Sequence, residues 1–233
     1  ALKWYIGSVK GIDFGRCCLM VAKYEGDRAA FRNMRRGVSA IYRKHRGVCL
    51  GPEPGRSFAE AKFDFPHLRD YVMDRNIMAD VSETATTWTN LLPLYEDSLA
   101  DIDRAICNTG VASWVGCHVS HSYPTGASLY FTFGCLQRAG REIDQYLHIK
   151  KAAEDAFMKN GGTLSHHHAV GTEHLPWVEE DVSPTGLKAV RAVKEGLDPR
   201  GIMNPGKIIP PADPFKAWGL RGEALGRFTD SGQ

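Results

Sequence analysis

The sequence has no apolar run of the length that a bilayer crossing needs and no Gly-x-Gly-x-x-Gly turn to cradle a pyrophosphate. It also lacks any Cys-x-x-Cys or His-Glu-x-x-His pattern. The first absence removes helical membrane-spanning proteins, the second a self-contained dinucleotide-binding fold of that type, and the third the commonest zinc frameworks. An excess of charge of one sign is lacking too. A formal net charge of +2 over 233 residues gives no argument for a nucleic-acid partner, and none is expected. The six cysteines sit mostly inside apolar patterns, which suits small buried residues of a reducing compartment better than a disulfide framework.

What the sequence does contain is an ordinary globular balance, 43% hydrophobic and 24% charged residues, enough for one large domain or two small ones. One stretch stands apart. Gly161-Gly162-Thr163-Leu164-Ser165-His166-His167-His168-Ala169-Val170-Gly171 sets three consecutive imidazoles between glycines, a pattern that serves neither a helix face nor a simple turn. In an extended backbone His166 and His168 share one face and His167 takes the other, so the run offers two ligands to a metal, with His174 as a third. No further metal pattern supports that arrangement, and no metal site is expected. A structural polar cluster and a catalytic or cofactor-facing loop are the other readings, and the loop is the one favoured.

Periodicity supplies the frame. An apolar run within 15–24 suggests a central strand, and Asp27 caps a helix whose stripe is Ala30, Phe31, Met34, Val38, Ile41 and Tyr42, ended by Gly47. Its other face carries Arg28, Arg32, Arg35, Arg36, Arg43 and Lys44, read first as a solvated surface and second as a contact for an anionic membrane. A Pro/Gly loop is expected over 51–55, a short helix over 68–75, a strand or loop over 77–87, and an amphipathic helix marked by Leu91, Leu92, Tyr95, Leu99, Ile102 and Ile106. Residues 114–123 and 128–135 alternate around Pro124-Thr125-Gly126 and predict a β-hairpin, with Leu129, Phe131 and Phe133 on one face and Ser128, Tyr130 and Thr132 on the other. A helix over 142–159 follows, with Ile143, Leu147, Ala153, Ala156 and Phe157 turned inward. After the histidines, Ser183-Pro184 starts a helix with Leu187, Val190, Val193 and Leu197 as its buried stripe. In the tail from Pro210, Phe215, Trp218 and Leu220 are expected to dock on a neighbour. The fold class is α+β, an antiparallel sheet covered by helices and followed by a helical C-terminal segment.

The triple histidine, the strand Gly126-Ala127-Ser128-Leu129-Tyr130-Phe131 and the ending Asp198-Pro199-Arg200-Gly201-Ile202-Met203-Asn204-Pro205-Gly206-Lys207 together resemble the alkyldihydroxyacetonephosphate synthase (alkylglycerone-phosphate synthase) family of the FAD-linked oxidase (vanillyl-alcohol oxidase-like) superfamily. The likeness spans roughly residues 10 to 207. It implies that the acyl group of acyl-dihydroxyacetone phosphate is exchanged for a long-chain alcohol in ether lipid biosynthesis, with FAD as cofactor and without net oxidation. By the same likeness Tyr130, His166, His167 and His168 are catalytic, Arg69 binds substrate, and His167 and Asn204 contact the cofactor. Ser82-Glu83-Thr84 falls on a similar Ser-x-Glu-Thr stretch of the family. Ala169 stands where the family has glycine, a small change unless the backbone there needs positive φ. The Asn-Pro-Gly-Lys ending is closer to that of bacterial D-lactate or glycolate dehydrogenases, so a FAD-linked dehydrogenase of a 2-hydroxy acid is the second reading. A lipid-surface or binding module without chemistry of its own is the third.

The likeness also implies a division into a substrate-binding cap over 1–160, the histidine loop and helical segment over 161–209, and a tail over 210–233. On this reading the chain is the C-terminal half of a flavoenzyme, inactive alone, with FAD bound mainly by an N-terminal domain. A homodimer with peripheral membrane contact is expected, cytoplasmic in a bacterium and peroxisomal in a eukaryote.

Overall fold

The computed structural model describes residues 7–8, 11–13 and 17–217. The chain divides at Leu68/Arg69 into two compact units. In the first, helix α1 (Arg28–Lys44) begins where sequence places it, because the Asp27 carboxylate accepts from the N–H groups of Ala29 and Ala30, both at 2.8 Å. Helix α2 (Glu53–Ala61) corrects the expected loop over 51–55, since Pro52 takes the cap position and Pro54 the first turn, where a missing N–H costs nothing. The expected strand does not form over its described part. Residues 17–25 carry no strand, and Leu19 and Met20 stay 70% and 66% exposed. No described strand of this unit offers them a ladder, and an unpaired strand leaves its backbone groups to water. Cys17, Cys18, Cys49 and Cys107 are exposed and Cys117 half-buried, so the expectation of mostly buried cysteines holds only for Cys135.

Helix α3 (Phe65–Met73) runs across the division. The second unit continues as β1 (Ile77–Thr87), α4 (Leu91–Asn108), β2 (Ser113–Ser122), β3 (Gly126–Leu136) and α5 (Glu142–Lys159). The strands form one antiparallel sheet in the order β1-β3-β2, with Glu83 opposite Tyr130 and Tyr130 opposite His118. Alternation along β3 turns Leu129, Phe131 and Phe133 into the core, where they meet Leu94, Ile102 and Ile106 of α4 and Ile149, Ala153 and Phe157 of α5. Gln145 of α5 is buried as well, and bonds Thr109 and the Leu136 carbonyl at 2.9 and 3.1 Å. Ile143 departs from expectation. It lies in the first turn of α5 and is 70% exposed, and the inward stripe starts at Leu147.

The segment after α5 turns back on the sheet. Thr163 exchanges backbone and side-chain bonds with Ala85 and Thr84, and Thr86 bonds the Gly161 carbonyl, so residues 161–163 occupy the outer edge of β1. A short 3-10 turn (Leu175–Trp177) leads into α6 (Val178–Leu197). That helix breaks at Ser183, φ 69°, and restarts at Pro184 with the Ser183 hydroxyl accepting from the Gly186 N–H, as the Ser-Pro start predicts. Of the expected buried stripe only Leu187 is buried, against Leu164, Trp177 and Val178, while Val193 and Leu197 are 60% and 82% exposed. Among the described residues nothing covers that end of the helix. Phe215, in the short helix α7 (Pro214–Ala217), docks on Trp177 at a ring-centroid distance of 5.6 Å. Trp218 and Leu220 lie outside the described residues.

Gly162 marks where the returning chain comes closest to the sheet. A Cβ there would sit 2.3 Å from the Thr84 hydroxyl, 3.1 Å from the Phe157 carbonyl and 3.2 Å from Leu94. Gly162→Ala is therefore expected to lower stability by about 1–3 kcal/mol, the usual cost of overpacking, as measured by urea unfolding. A neutral result would mean that 161–163 does not dock on β1.

Candidate active site

The three histidines do not alternate as an extended strand would. Their backbone curls around Glu83, whose Oε1 accepts from the N–H groups of His166 at 3.1 Å, His168 at 2.7 Å, and His167, with the Ser165 hydroxyl at 3.4 Å. Successive N–H groups aimed at one oxygen make an anion-binding nest. Burial of Glu83 pushes its pKa up, but the bonds from His167, His168 and His166 outweigh it and hold the carboxyl below the usual glutamate range. His167 Nδ1 stands 2.5 Å from the second oxygen and His166 Nδ1 4.0 Å from it.

All three rings gather over the sheet face opposite the core. Tyr130, half-buried, lies 5.3 Å from His168 at an interplanar angle of 88°, 6.3 Å from His167 at 21°, and 4.9 Å from His118. Burial raises the Tyr130 pKa, and the charges of Glu83 and Asp80 add to that. Burial lowers the His168 pKa, and Glu83 only partly offsets it. At neutral pH the pair is a protonated phenol beside a neutral imidazole, able to give and to take a proton respectively.

The far end of the loop is tied by buried charge. Lys150 donates to the Val81 carbonyl and the Ser82 hydroxyl at 2.6 and 2.7 Å, and pairs with Glu173 at 2.5 Å and Asp80 at 3.6 Å. His174 pairs with Glu154 at 3.5 Å and faces the Ala169 carbonyl at 2.8 Å, a structural position rather than a third ligand beside the triple. Burial pulls the His174 pKa down, and Glu154 outweighs this and raises it. Between these ties lies a cavity of about 390 Å³, lined by Asp80, Lys150, His168, Glu173 and His174 among others.

Arg69 and Asn204 touch neither Tyr130 nor the histidines among the described residues. Arg69 is exposed on α3, and its charge acts on Tyr146, whose phenol burial, Asp80 and Glu173 push up. Asn204 sits in a turn with φ 46°, built by the Asp198 carboxylate, which accepts from the N–H groups of Ile202 and Met203 at 3.0 and 2.8 Å.

Residues of β2 and Tyr123 just after it complete the site and were not singled out from sequence. His118 and His121 face Tyr130 and the histidine loop, and the Tyr123 hydroxyl lies 2.9 Å from His166 Nε2. The signal was there in part, since His118 shares the parity of the strand opposite Tyr130. A register shift between Val119 and His121 breaks the count that would place His121.

The chain as a whole is similar to known proteins. Residues 3–208 match the family of FAD linked oxidases, C-terminal domain, and the chain belongs to that family. Within it, the sequence is similar to the alkyldihydroxyacetonephosphate synthases of Dictyostelium discoideum, 35% identical over 90% of this chain and 34% of the relative, and of Trypanosoma brucei brucei, 35% identical over 89% and 34%. A solved alkyldihydroxyacetonephosphate synthase structure superposes with a TM-score of 0.57 at 30% identity, covering 78% of this chain and 30% of that one. The chain thus spans about a third of the length of the curated relatives it matches.

Two outcomes are expected. Ala169 adopts φ 65°, the positive value at which its small change from glycine is expected to matter. A left-handed non-glycine residue costs roughly 1–2 kcal/mol, and the greater freedom of unfolded glycine returns about 0.4–1 of it. Ala169→Gly should therefore raise the unfolding free energy by up to about 1 kcal/mol, and a loss of stability would mean that the loop does not hold this backbone. The lowered pKa of Glu83 stabilises the fold above the unfolded glutamate value of about 4.3, and that contribution is lost as pH falls through the folded value. Urea unfolding from pH 6 to pH 3 should show a decline that Glu83→Gln flattens. An identical slope in the variant would remove the carboxylate from the loop's support.

Proposed function

We propose that this chain forms the proton-handling face of a flavoenzyme that exchanges the acyl group of acyl-dihydroxyacetone phosphate for a long-chain alcohol. The observation that carries the reading is the convergence of Tyr130, His166, His167 and His168 over one buried carboxylate on a single sheet face. The names of the synthase relatives supply the substrate class.

The donor set suits the flat ring system of FAD and not its pyrophosphate: half-open aromatic faces at Tyr130 and His167, with no glycine-rich cradle in the sequence. His167 would border the ring, Asn204 would meet the cofactor from its turn, and the pyrophosphate would be held elsewhere in the protein. FAD, when bound, supplies the electron-accepting ring that makes the substrate's C–O bond exchangeable.

The remaining work belongs to this chain. Exchange of a carboxylate for an alcohol requires a proton to leave the substrate carbon and return, and another to leave the alcohol. His168, kept neutral by burial, is the acceptor. Tyr130, kept protonated by its raised pKa, donates to the departing carboxylate and recovers a proton from the incoming alcohol. Glu83 holds the loop so that these rings keep their places. Arg69 offers a planar fork for the substrate phosphate.

Tyr130→Phe in the full-length flavoenzyme tests the assignment. The ring and its packing stay, so stability should change by no more than about 0.5 kcal/mol. Incorporation of a labelled alcohol with release of fatty acid should fall roughly 10²-fold or more. A variant that folds, binds FAD and exchanges at the wild-type rate would leave Tyr130 as a sheet-surface residue. Reduction of the flavin by D-lactate or glycolate, without exchange, would overturn the synthase reading altogether.

A further inference from the structure

We propose that His174 is a positioning residue for His168, clamping the loop after Ala169 as Glu83 clamps it before. The loop turns at Ala169, φ 65°. Ahead of that turn the N–H groups of His166, His167 and His168 are held by the Glu83 carboxylate. Beyond it the carbonyls of Ala169 and Val170 meet His174 Nδ1 at 2.8 and 3.2 Å. A carbonyl oxygen only accepts, so Nδ1 carries the hydrogen. The backbone is thus gripped by its donors on one side of the pivot and by its acceptors on the other.

Each grip is backed by a rigid element. Glu83 stands on β1, and the second nitrogen of His174, Nε2, faces Glu154 Oε1 of α5 at 3.5 Å. Glu154 is fully buried and His174 is 4% exposed, a setting in which losing one partner is costly. Only the backbone rotations of His168 and Ala169 separate the pinned His168 N–H from the pinned Ala169 carbonyl. The direction in which His168 leaves the backbone is therefore set from both ends, and its ring comes to stand 5.3 Å from Tyr130 at an interplanar angle of 88°. The reaction proposed above gives His174 and Glu154 no other task.

The clamp is read without activity, and only its bearing on rate rests on the reaction proposed above. Amide hydrogen exchange is followed in the full-length flavoenzyme at His166, His167 and His168, with Phe131 and Phe133 of β3 as reference. The double variant His174→Leu/Glu154→Leu carries the test, because replacing both members of a buried pair with apolar residues strands no charge and keeps the fold. Its three loop amides should exchange roughly 10–100-fold faster, the worth of a lost bond to a charged group, while those of β3 keep the wild-type rate. His174→Arg can donate to the same carbonyls and pair with Glu154, the adjoining cavity gives it room, and exchange should stay slow. In the same double variant kcat for alcohol incorporation should fall at least about tenfold with KM within a few-fold, and His174→Arg should hold both near wild type. Loop amides at the wild-type rate in the double variant would overturn the clamp, and equal acceleration in β3 would reduce it to general stability. A loosened loop with unchanged kcat would overturn the positioning of His168. A wild-type enzyme that exchanges no alcohol would sink the reaction alone and leave the clamp to the amides.

Discussion

A single carboxylate oxygen, Glu83 Oε1, receives the backbone N–H groups of three successive histidines, and the site depends on that arrangement. An ion taken out of water survives only where donors replace its lost hydration, and here the donors are the backbone N–H groups of the three histidines themselves. The bond therefore runs both ways. The loop keeps Glu83 ionised, and Glu83 keeps the loop curled, so that three imidazoles that an extended chain would send to opposite faces gather on one.

Around that contact the fold is arranged as a frame with two ends. Thr163 on the edge of β1 fixes where the loop begins, and the half-buried pair Lys150–Glu173 and the buried pair His174–Glu154 fix where it finishes. Tyr130 is delivered from the middle strand, with its neighbours Leu129 and Phe131 locked into the core, so its height above the sheet is set by packing rather than by its own contacts. A sheet that is apolar on one face and carries ionisable groups on the other lets a rigid scaffold hold groups whose proton affinities are driven apart.

Much of this was legible in the sequence. The hairpin, the helix over 142–159, the Asp27 cap and the polar side of Tyr130 followed from period, turn residues and capping chemistry. Failures cluster where the outcome depends on a partner that local sequence does not contain. The apolar run near Leu19 has the composition of a strand but finds no described ladder in its unit, and the stripe ending at Leu197 has helical spacing with nothing over it. The role of Glu83 was hidden because a lone acid in a Ser-Glu-Thr strand gives no sign that a loop 82 to 85 residues further on will donate to it.

The seat of Thr163 and Gly161 on β1 carries one more consequence. An outer strand with free N–H and C=O groups is a template for another chain, and proteins protect such edges with short strands, charge or a covering segment. Here the covering segment is the root of the histidine loop itself. Detachment of the loop would open a β edge along with the site, so self-association should accompany the loss of the histidine cluster, and selection for solubility and for the geometry of that cluster would act on the same few residues.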